Sequence, residues 1–441
     1  MIKKISFFLA MAAAGLTLPS TAQIDNLTNM SPEWTRSGAR NASLDGTDIV
    51  VYNPGGVAWL KPGFHLTVGN QFTLRKPKHE YTLDMGGGPV NYSYQQDGND
   101  MLCPNINFSY NKDNWAVFGG LNVVAGGGEA NFSTGSITTD LVSFQTLYFL
   151  NMMGMTYTHS KDASFQSSAY DFSTSLGGSY AVNERISMGL MVRYIMGQNK
   201  TEAGFTMQDA SGTYPDYPFI LQSEDQASGV GVVLGIDVKA TSKLNLAARY
   251  ESKVAMEFDT DSIRDDIGMI TEGMKNHRDL PAVFGLGATY DLSDKARLLF
   301  DFNYYFQKQA DWETTNIAGV EHETSDLAGD ASNYALAAEY RFSPKFMWSL
   351  GVNYTMLNFE DQAGYFTNAG AYEIAPGNNV SISTGFAWNP CETMRINAGF
   401  TQAIYEDQKI KSMNYDAFGM NVDVNTSNSI SIIGIGVDFM F

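Results

Sequence analysis

The chain has 441 residues, 44% hydrophobic and 13% aromatic, with 42 glycines and a mean hydropathy of −0.19. That ordinary apolar content excludes a disordered chain. Its 28 basic and 47 acidic residues leave a formal charge of −19, which excludes nucleic acid as a partner, since phosphate binding needs clustered positive charge. Past the first two dozen residues no run approaches the roughly 18 consecutive apolar residues of a spanning helix.

The start, MIKKISFFLAMAAAGLTLPSTAQ, reads as a secretory signal peptide over residues 1–22. Lys3 and Lys4 form the charged region, Ile5 to Leu18 the apolar core and Ser20-Thr21-Ala22 a small-x-small cleavage site before Gln23. No cysteine follows that site, so an N-terminal lipid anchor is not expected. Export permits disulfides, but Cys103 and Cys391 lie far apart in dissimilar contexts and read as free packing residues.

Residues 23–61 do not alternate. The stretch SGARNASLDGTDIVVYNPGGVAWLKPG is rich in Gly, Ala, Ser and Asn, and small residues allow close backbone packing inside a crowded lumen. A plug, or hatch, is expected here, with a periplasmic tail as the alternative.

From residue 62 onward the dominant signal is period-2 alternation. Runs start near Gly63, Leu102, Trp115, Ser168, Ile186, Ser228, Leu244, Pro281, Ala296, Asn333, Phe346, Asn379, Met394 and Ser429, fourteen in all. Short polar turns such as Asn183-Glu184-Arg185 and Ser293-Asp294-Lys295 alternate with connections of some 20 to 40 residues. Loops that long usually carry function, and short turns at one end with long loops at the other suit an outer-membrane barrel.

Each run has an apolar and a polar face. Leu244, Leu246, Ala248, Tyr250, Val254, Met256 and Phe258 alternate with Asn245, Ala247, Arg249, Glu251, Lys253 and Glu257. A sandwich would hide the apolar set, whereas a barrel in lipid turns it outward. Runs of about 10 to 15 residues exceed ordinary globular strands. Trp115, Tyr180, Tyr340 and Trp388 stand near the ends of outward sets, as interfacial girdles do. The final SIIGIGVDFMF reads as a strand closing against the first. The expected fold is all-β, a 14-stranded antiparallel transmembrane β-barrel over 62–441 in the outer membrane of a diderm bacterium, working as a monomer.

The loops hold candidate binding surfaces. LVSFQTLYFLNMMGMTY carries Phe144, Leu147, Tyr148, Phe149, Met152 and Met153, and Met and aromatic side chains suit adaptable apolar capture; packing against the barrel mouth is the alternative. Ile263, Ile267, Ile270 and Met274 fall at helical spacing after Asp261, so an amphipathic helix over the pore mouth is expected, with simple lid packing as the equal alternative. Arg193, Arg249, Lys253, Arg297 and Arg395 share the inward parity. The first three are the candidate partners for an anionic head group, while pairing with Asp301, Glu251 or Glu339 across the lumen is the competing role.

No enzyme or cofactor site is expected. His65, His79, His159, His277 and His322 show no metal-ligand spacing, and no phosphate loop or nucleophile motif appears.

The signal peptide, Ser37-Gly38-Ala39-Arg40, the run Asn53-Pro54-Gly55-Gly56 and the fourteen strands ending in Phe resemble the FadL/TodX family of outer-membrane transporters. The resemblance covers the whole mature chain. It implies passive uptake of long-chain fatty acids or similar hydrophobic compounds, with outer-membrane lipid as the surrounding partner. It also implies a lumenal hatch whose Asn-Pro-Ala motif lies near an inward kink of the third strand that opens the wall sideways. Asn53 and Pro54 match that motif, and Gly55 replaces its usual alanine. The third run, WAVFGGLNVVAGGG, has Gly119 and Gly120 in mid-strand, the expected kink; packing room for the hatch is the other reading. An adhesin-type barrel and a general porin are the rival functions.

Overall fold

The computed structural model describes residues 28–84, 88–209, 211–266, 268, 270–317, 319–369, 373, 377–412 and 422–441. The expected signal peptide and Ile267 lie outside them.

In chain order, the N-terminal segment carries α1 (Pro32–Ser37), α2 (Ile49–Tyr52) and a 3-10 turn at Gly56–Trp59. The first strand, β1 (Gly63–Arg75), leads into a hairpin of β2 (Lys78–Asp84) and β3 (Pro89–Gln95). β4 (Asn99–Lys112), β5 (Trp115–Phe132), α3 (Ile137–Met152), β6 (His159–Ala181), β7 (Ile186–Gln208) and β8 (Tyr217–Lys239) follow. Next come β9 (Leu244–Glu251), β10 (Glu257–Asp265), β11 (Lys275–His277), β12 (Ala282–Asp291) and β13 (Ala296–Phe306). A small hairpin of β14 (Thr314–Ile317) and β15 (Val320–Glu323) precedes α4 (Thr324–Ala328), β16 (Ala331–Ser343), β17 (Phe346–Leu357) and α5 (Gln362–Ala369). The chain ends with β18 (Asn379–Cys391), β19 (Met394–Tyr405), β20 (Gln408–Ser412), β21 (Val422–Ser427) and β22 (Ser429–Met440).

Fourteen antiparallel strands close a barrel, with β10 and β11 continuing β9 and β12 beyond a break. β22 pairs with β1 from His65↔Met440 to Arg75↔Ile430, so the first and last strands seal the wall. Closure removes the free edges that lipid could not satisfy.

Alternation sets the faces. On β7, Met188, Leu190, Val192, Tyr194 and Met196 are exposed, while Ser187, Met191, Arg193 and Ile195 are buried. The short-turn end carries exposed Tyr180, Tyr340, Phe342, Trp348 and Trp388, with Tyr340 against Phe342 and Phe346 against Phe386. This is the aromatic band that anchors a barrel at a membrane interface.

The long connections assemble into a cap. β20, β21, β2 and β3 make a four-stranded sheet from the two ends of the chain. Tyr81, Leu83, Ile137, Trp312, Tyr365 and Val424, drawn from five separate connections, share one buried apolar cluster. α3 starts at a capping box, in which Ser136 Oγ accepts from Thr139 N at 3.4 Å and Thr139 Oγ1 accepts from Ser136 N at 2.8 Å.

One expected element is absent among the described residues. Residues 257–265 form β10 rather than the helix expected after Asp261, because Asp259, Asp261 and Ser262 pair with Gln226, Glu224 and Ser223 of β8. A long neighbouring strand offers backbone bonds that outweigh the apolar spacing of a marginal isolated helix.

Candidate functional site

The hatch is built from local signals. Ser31 Oγ caps α1 by accepting from Trp34 N at 3.0 Å, Pro32 takes the first helical position, and Gly38 at φ 75° ends it with its N–H on Trp34 O at 2.6 Å. Ser37 Oγ donates back to Glu33 O at 3.1 Å. The segment is then fixed to the inner wall by buried polar contacts. Arg36 Nη1 bonds Glu339 at 2.7 Å and also Ser349. Asp301 accepts the N–H groups of Arg40 at 2.5 Å and Asn41 at 2.9 Å. Arg40 itself grips Asp48 at 2.6 Å and Asp45 at 2.8 Å, and Arg395 reaches Asp45 O at 2.6 Å.

Glycines on the inner wall make room for this backbone. A Cβ at Gly351 would collide with Ser37 O, and one at Gly399 with Arg36 N. Asn53 donates to Asp237 and accepts from Gly56 N at 3.1 Å, while Ser187 Oγ donates to Gly55 O at 2.6 Å. Pro54 nests against Gly189 and Gly235. A Cβ at Gly55 would stand 3.0 Å from the backbone of Gly235, Ile236 and Asp237. This tight fit gives a packing reason for glycine where the motif usually has alanine.

Two strands leave the regular wall. Pairing of β4 with β5 stops at Asn105↔Asn122, although β4 continues outward through Pro104 to Asn99. Proline suits that position, having no N–H to leave unpaired. On the other side β5 keeps β6 through register shifts between Val123 and Gly128, with Gly126 at φ 104° and Gly128 at φ 74°. Gly119 and Gly120 are not the irregularity: both pair regularly with Phe108 and Asn107 and with Leu176 and Ser175. Their missing side chains instead avoid Ser175 O, Phe108 and Asn107. The bulge lies further along the same strand, at VVAGGG.

The seventh strand breaks as well. β8 pairs with β9 as far as Val233↔Glu251 and resumes with β10 at Gln226↔Asp259. The break reverses the parity, so Val254, Met256 and Phe258 are buried instead of facing outward. They pack over the inner face of β7 and β8, where a Cβ at Gly197 would stand 2.8 Å from Phe258 and one at Gly229 2.5 Å from Val254. Val254 and Met256 share an apolar cluster with Val124 and Ala125 of the β5 bulge and with Trp34 and Tyr52 of the hatch.

The expected head-group cations are committed. Arg193 pairs with Glu251 at 2.5 Å. Arg249 pairs with the same carboxylate at 2.9 Å and donates to Val51 O and Tyr52 O, each at 2.9 Å. Lys253 lies in the break beside buried Val254, is exposed, and is taken by the buried Asp279 at 2.8 Å. Among the expected capture residues, Tyr148, Met152, Met153 and Met274 are exposed. Phe144 packs on the cap cluster, and Leu147, Phe149 and Ile270 on a second cluster around Phe205 and Phe219.

A cavity of ≈ 140 Å³ lies beside the hatch, bordered by Trp34, Arg75, Gly126, Tyr405, Ile430 and Ile432 among others. A smaller one of ≈ 20 Å³ shares Thr28, Trp34 and Tyr305 with it and reaches Arg193, Arg249 and Glu251. Sequence reasoning missed Arg75 because its place at the outer end of β1 leaves no local mark of a lumenal cavity.

The family described as outer membrane protein transport protein (OMPP1/FadL/TodX) matches residues 10–441. No curated protein matches. Among solved structures, a Pseudomonas aeruginosa FadL homologue superposes with a TM-score of 0.69 at 13% identity, covering 95% of this chain and 100% of that one. The toluene transporter TodX of P. putida gives 0.65 at 12% identity, with 95% and 99% covered. The channel CymD, described as a monoaromatic hydrocarbon channel, gives 0.55 at 14%, with 95% and 99% covered. Likeness at such identities carries the fold, and the family match carries the rest: the chain belongs to the OMPP1/FadL/TodX family of Gram-negative outer-membrane barrels that transport hydrophobic compounds.

Proposed function

We propose that the protein takes up long-chain fatty acids or similar hydrophobic small molecules, exported to its site by the signal peptide at residues 1–22 and acting as a monomer. Apolar loop residues, Tyr148, Met152 and Met153 among them, make the first capture. The molecule then enters the cavity beside the hatch and leaves sideways into the bilayer through the wall between β4 and β5.

The single observation behind this reading is that β4–β5 pairing ends at Asn105↔Asn122 next to a cavity bordered by the bulge residue Gly126. Met101 and Leu102, on the stretch of β4 that pairs with β1 but not with β5, are 61% and 69% exposed and would offer a departing alkyl chain an apolar path. The energetics favour such a route. Each methylene left in water costs about 0.8 kcal/mol, so a water-filled pore gives an alkyl chain no relief, and the hatch obstructs one. A general porin would need the lumen that the hatch occupies, and an adhesin has no use for a bulged third strand. The name of TodX as a toluene transporter makes monoaromatic hydrocarbons the second substrate class to test.

The test is uptake of radiolabelled oleate and toluene by a Gram-negative host lacking its own channel of this kind. Cells supplied with this chain should accumulate one or both faster than cells with an empty vector. Uptake of both compounds no faster than in empty-vector cells would reject the reading.

A further inference from the structure

The surface cations of this chain divide by end. In the cap and the outer strand extensions, Lys78, Lys200, Lys275, Lys308 and Lys409 pair with Glu80, Glu224, Glu257, Glu360 and Asp423. At the short-turn end Lys112, Arg185, Lys243, Lys295, Arg341 and Lys345 are exposed, and none of the six joins an ion pair among the described residues. Acids are at hand there, since Asp113, Glu184 and Asp294 are sequence neighbours of three of them. Short turns lie on the periplasmic side of such a barrel. A chain with a formal charge of −19 therefore presents unpaired positive charge beside the inner leaflet.

Three of these cations are gathered under the aromatic band. Arg341 N donates to Lys295 O at 2.7 Å, which ties the β12–β13 turn to the end of β16, and Asn389 N donates to Lys345 O at 2.8 Å, which ties the β16–β17 turn to β18. Arg341 Nη1 reaches only a neutral acceptor, the Asp294 carbonyl, at 3.4 Å. Arg297 takes Asp291 at 2.8 Å, which removes that carboxylate from the turn. Phe342, Phe346 and Trp348 stand exposed next to the turns. Phe346 lies against Phe386 and Phe342, with ring centroids 5.6 and 6.1 Å apart, so the rings continue the lipid-facing wall down to the cations.

We propose that this rim binds an anionic phospholipid of the inner leaflet, its phosphate set among Lys295, Arg341 and Lys345 and its acyl chains along Phe342, Phe346 and Trp348. Each basic group near an anionic leaflet adds to the attraction, and aromatic rings of this kind sit at head-group depth. A free phosphate would meet only the cations, whose attraction is screened beyond about 8 Å in physiological salt. An acidic protein would have no use for rings already in contact with the bilayer. The assignment concerns how the barrel is seated in its membrane and is independent of what passes through the lumen.

The experiment counts lipids retained on the purified mature protein by native mass spectrometry. The protein is first incubated in a non-ionic detergent with equal amounts of phosphatidylglycerol and phosphatidylethanolamine carrying the same acyl chains. Wild type should retain the anionic lipid about tenfold more than the zwitterionic one. The variant Lys295→Gln/Arg341→Gln/Lys345→Gln should bring that preference within about twofold. A control losing the same charge in the cap and outer extensions, Lys78→Gln/Lys200→Gln/Lys409→Gln, should keep it. A preference that survives the rim variant, or falls equally in the control, overturns the assignment. Displacement of the lipid by excess inorganic phosphate marks a free-anion site and overturns it as well. Absence of any preference in wild type overturns it and leaves the rim to a soluble acidic partner. If the triple variant does not fold, as judged by heat-modifiable migration, Lys345→Gln decides: it should lower the preference by about threefold, and an unchanged preference overturns the assignment.

Discussion

Arg36 of α1 and Glu339 of β16 form an ion pair at 2.7 Å with side chains 0% and 2% exposed. One partner belongs to the hatch and the other to the wall, so the pair helps hold the plug in the barrel. Breaking a buried pair from one side leaves the other charge without compensation, at a cost of about 3–5 kcal/mol. Arg36→Ala should lower stability to denaturant by that amount and raise ion leakage through planar bilayers. Replacing both residues together, as Arg36→Met with Glu339→Leu, should recover much of the loss. Equal stability of Arg36→Ala and wild type would show that the pair does not hold the hatch.

The β5 bulge predicts a transport phenotype separable from assembly. Gly126 has φ 104°, and a Cβ there would strike Ala169 O and stand 2.8 Å from Ala169 C. Gly126→Val should strain the bulge by about 1–2 kcal/mol and slow substrate uptake severalfold, with heat-modifiable migration on gels showing that the barrel still forms. Normal uptake by a folded variant would detach the bulge from the exit.

Met256 is fully buried between the two inward deviations. Met256→Ala should cost about 2–5 kcal/mol through the cavity it leaves, read by unfolding in detergent. A cost below about 1 kcal/mol, the range of surface changes, would mean that the strand-7 break does not pack as described.

The cap carries a pH dependence. His79 accepts from Ile137 N at 3.0 Å through Nε2 and touches the rings of Tyr94 and Phe132. Burial lowers its pKa from 6.5 to about 3. Above pH 6.5 the ring is neutral whether the cap is folded or not, and its contribution is intact. As pH falls from there toward 3, the unfolded chain binds a proton that the folded cap refuses, and stability on the order of 4 kcal/mol is lost. Asp140, which accepts from Tyr81 and Tyr94, works oppositely: burial raises its pKa, so acid favours the folded form as pH falls toward 3.8, the ordinary value. Hydrogen exchange at the Ile137 amide should therefore quicken on acidification in wild type, relative to the acid dependence of exchange in a His79→Phe variant. Parallel profiles would rule out His79 as the cause.

The barrel was legible because its physics is local. Alternation in β1, β7 or β13 reports lipid on one side and lumen on the other, and polar turns mark the short-loop end. The features that matter most for passage were hidden wherever pairing across the sheet overrides the local pattern. Val254, Met256 and Phe258 continue the outward parity of Leu244 to Tyr250 on paper, yet a break at Ser252–Met256 turns them inward. Lys253 falls in the same break and is exposed, paired with Asp279. In β5 the glycine cluster at Gly126 to Gly128, not Gly119-Gly120, bends the strand, because the first pair still has full partners on both sides. The helix expected after Asp261 lost to strand pairing with β8.

The most direct measurement sets substrate flux against ion flux in one reconstituted preparation. Proteoliposomes containing the mature chain should take up labelled dodecanoate or toluene faster than empty vesicles, while planar bilayers made with the same protein show no large steady conductance. A large steady conductance without faster uptake of either compound would mean an open aqueous pore, and would contradict passage through an apolar cavity and a bulged wall.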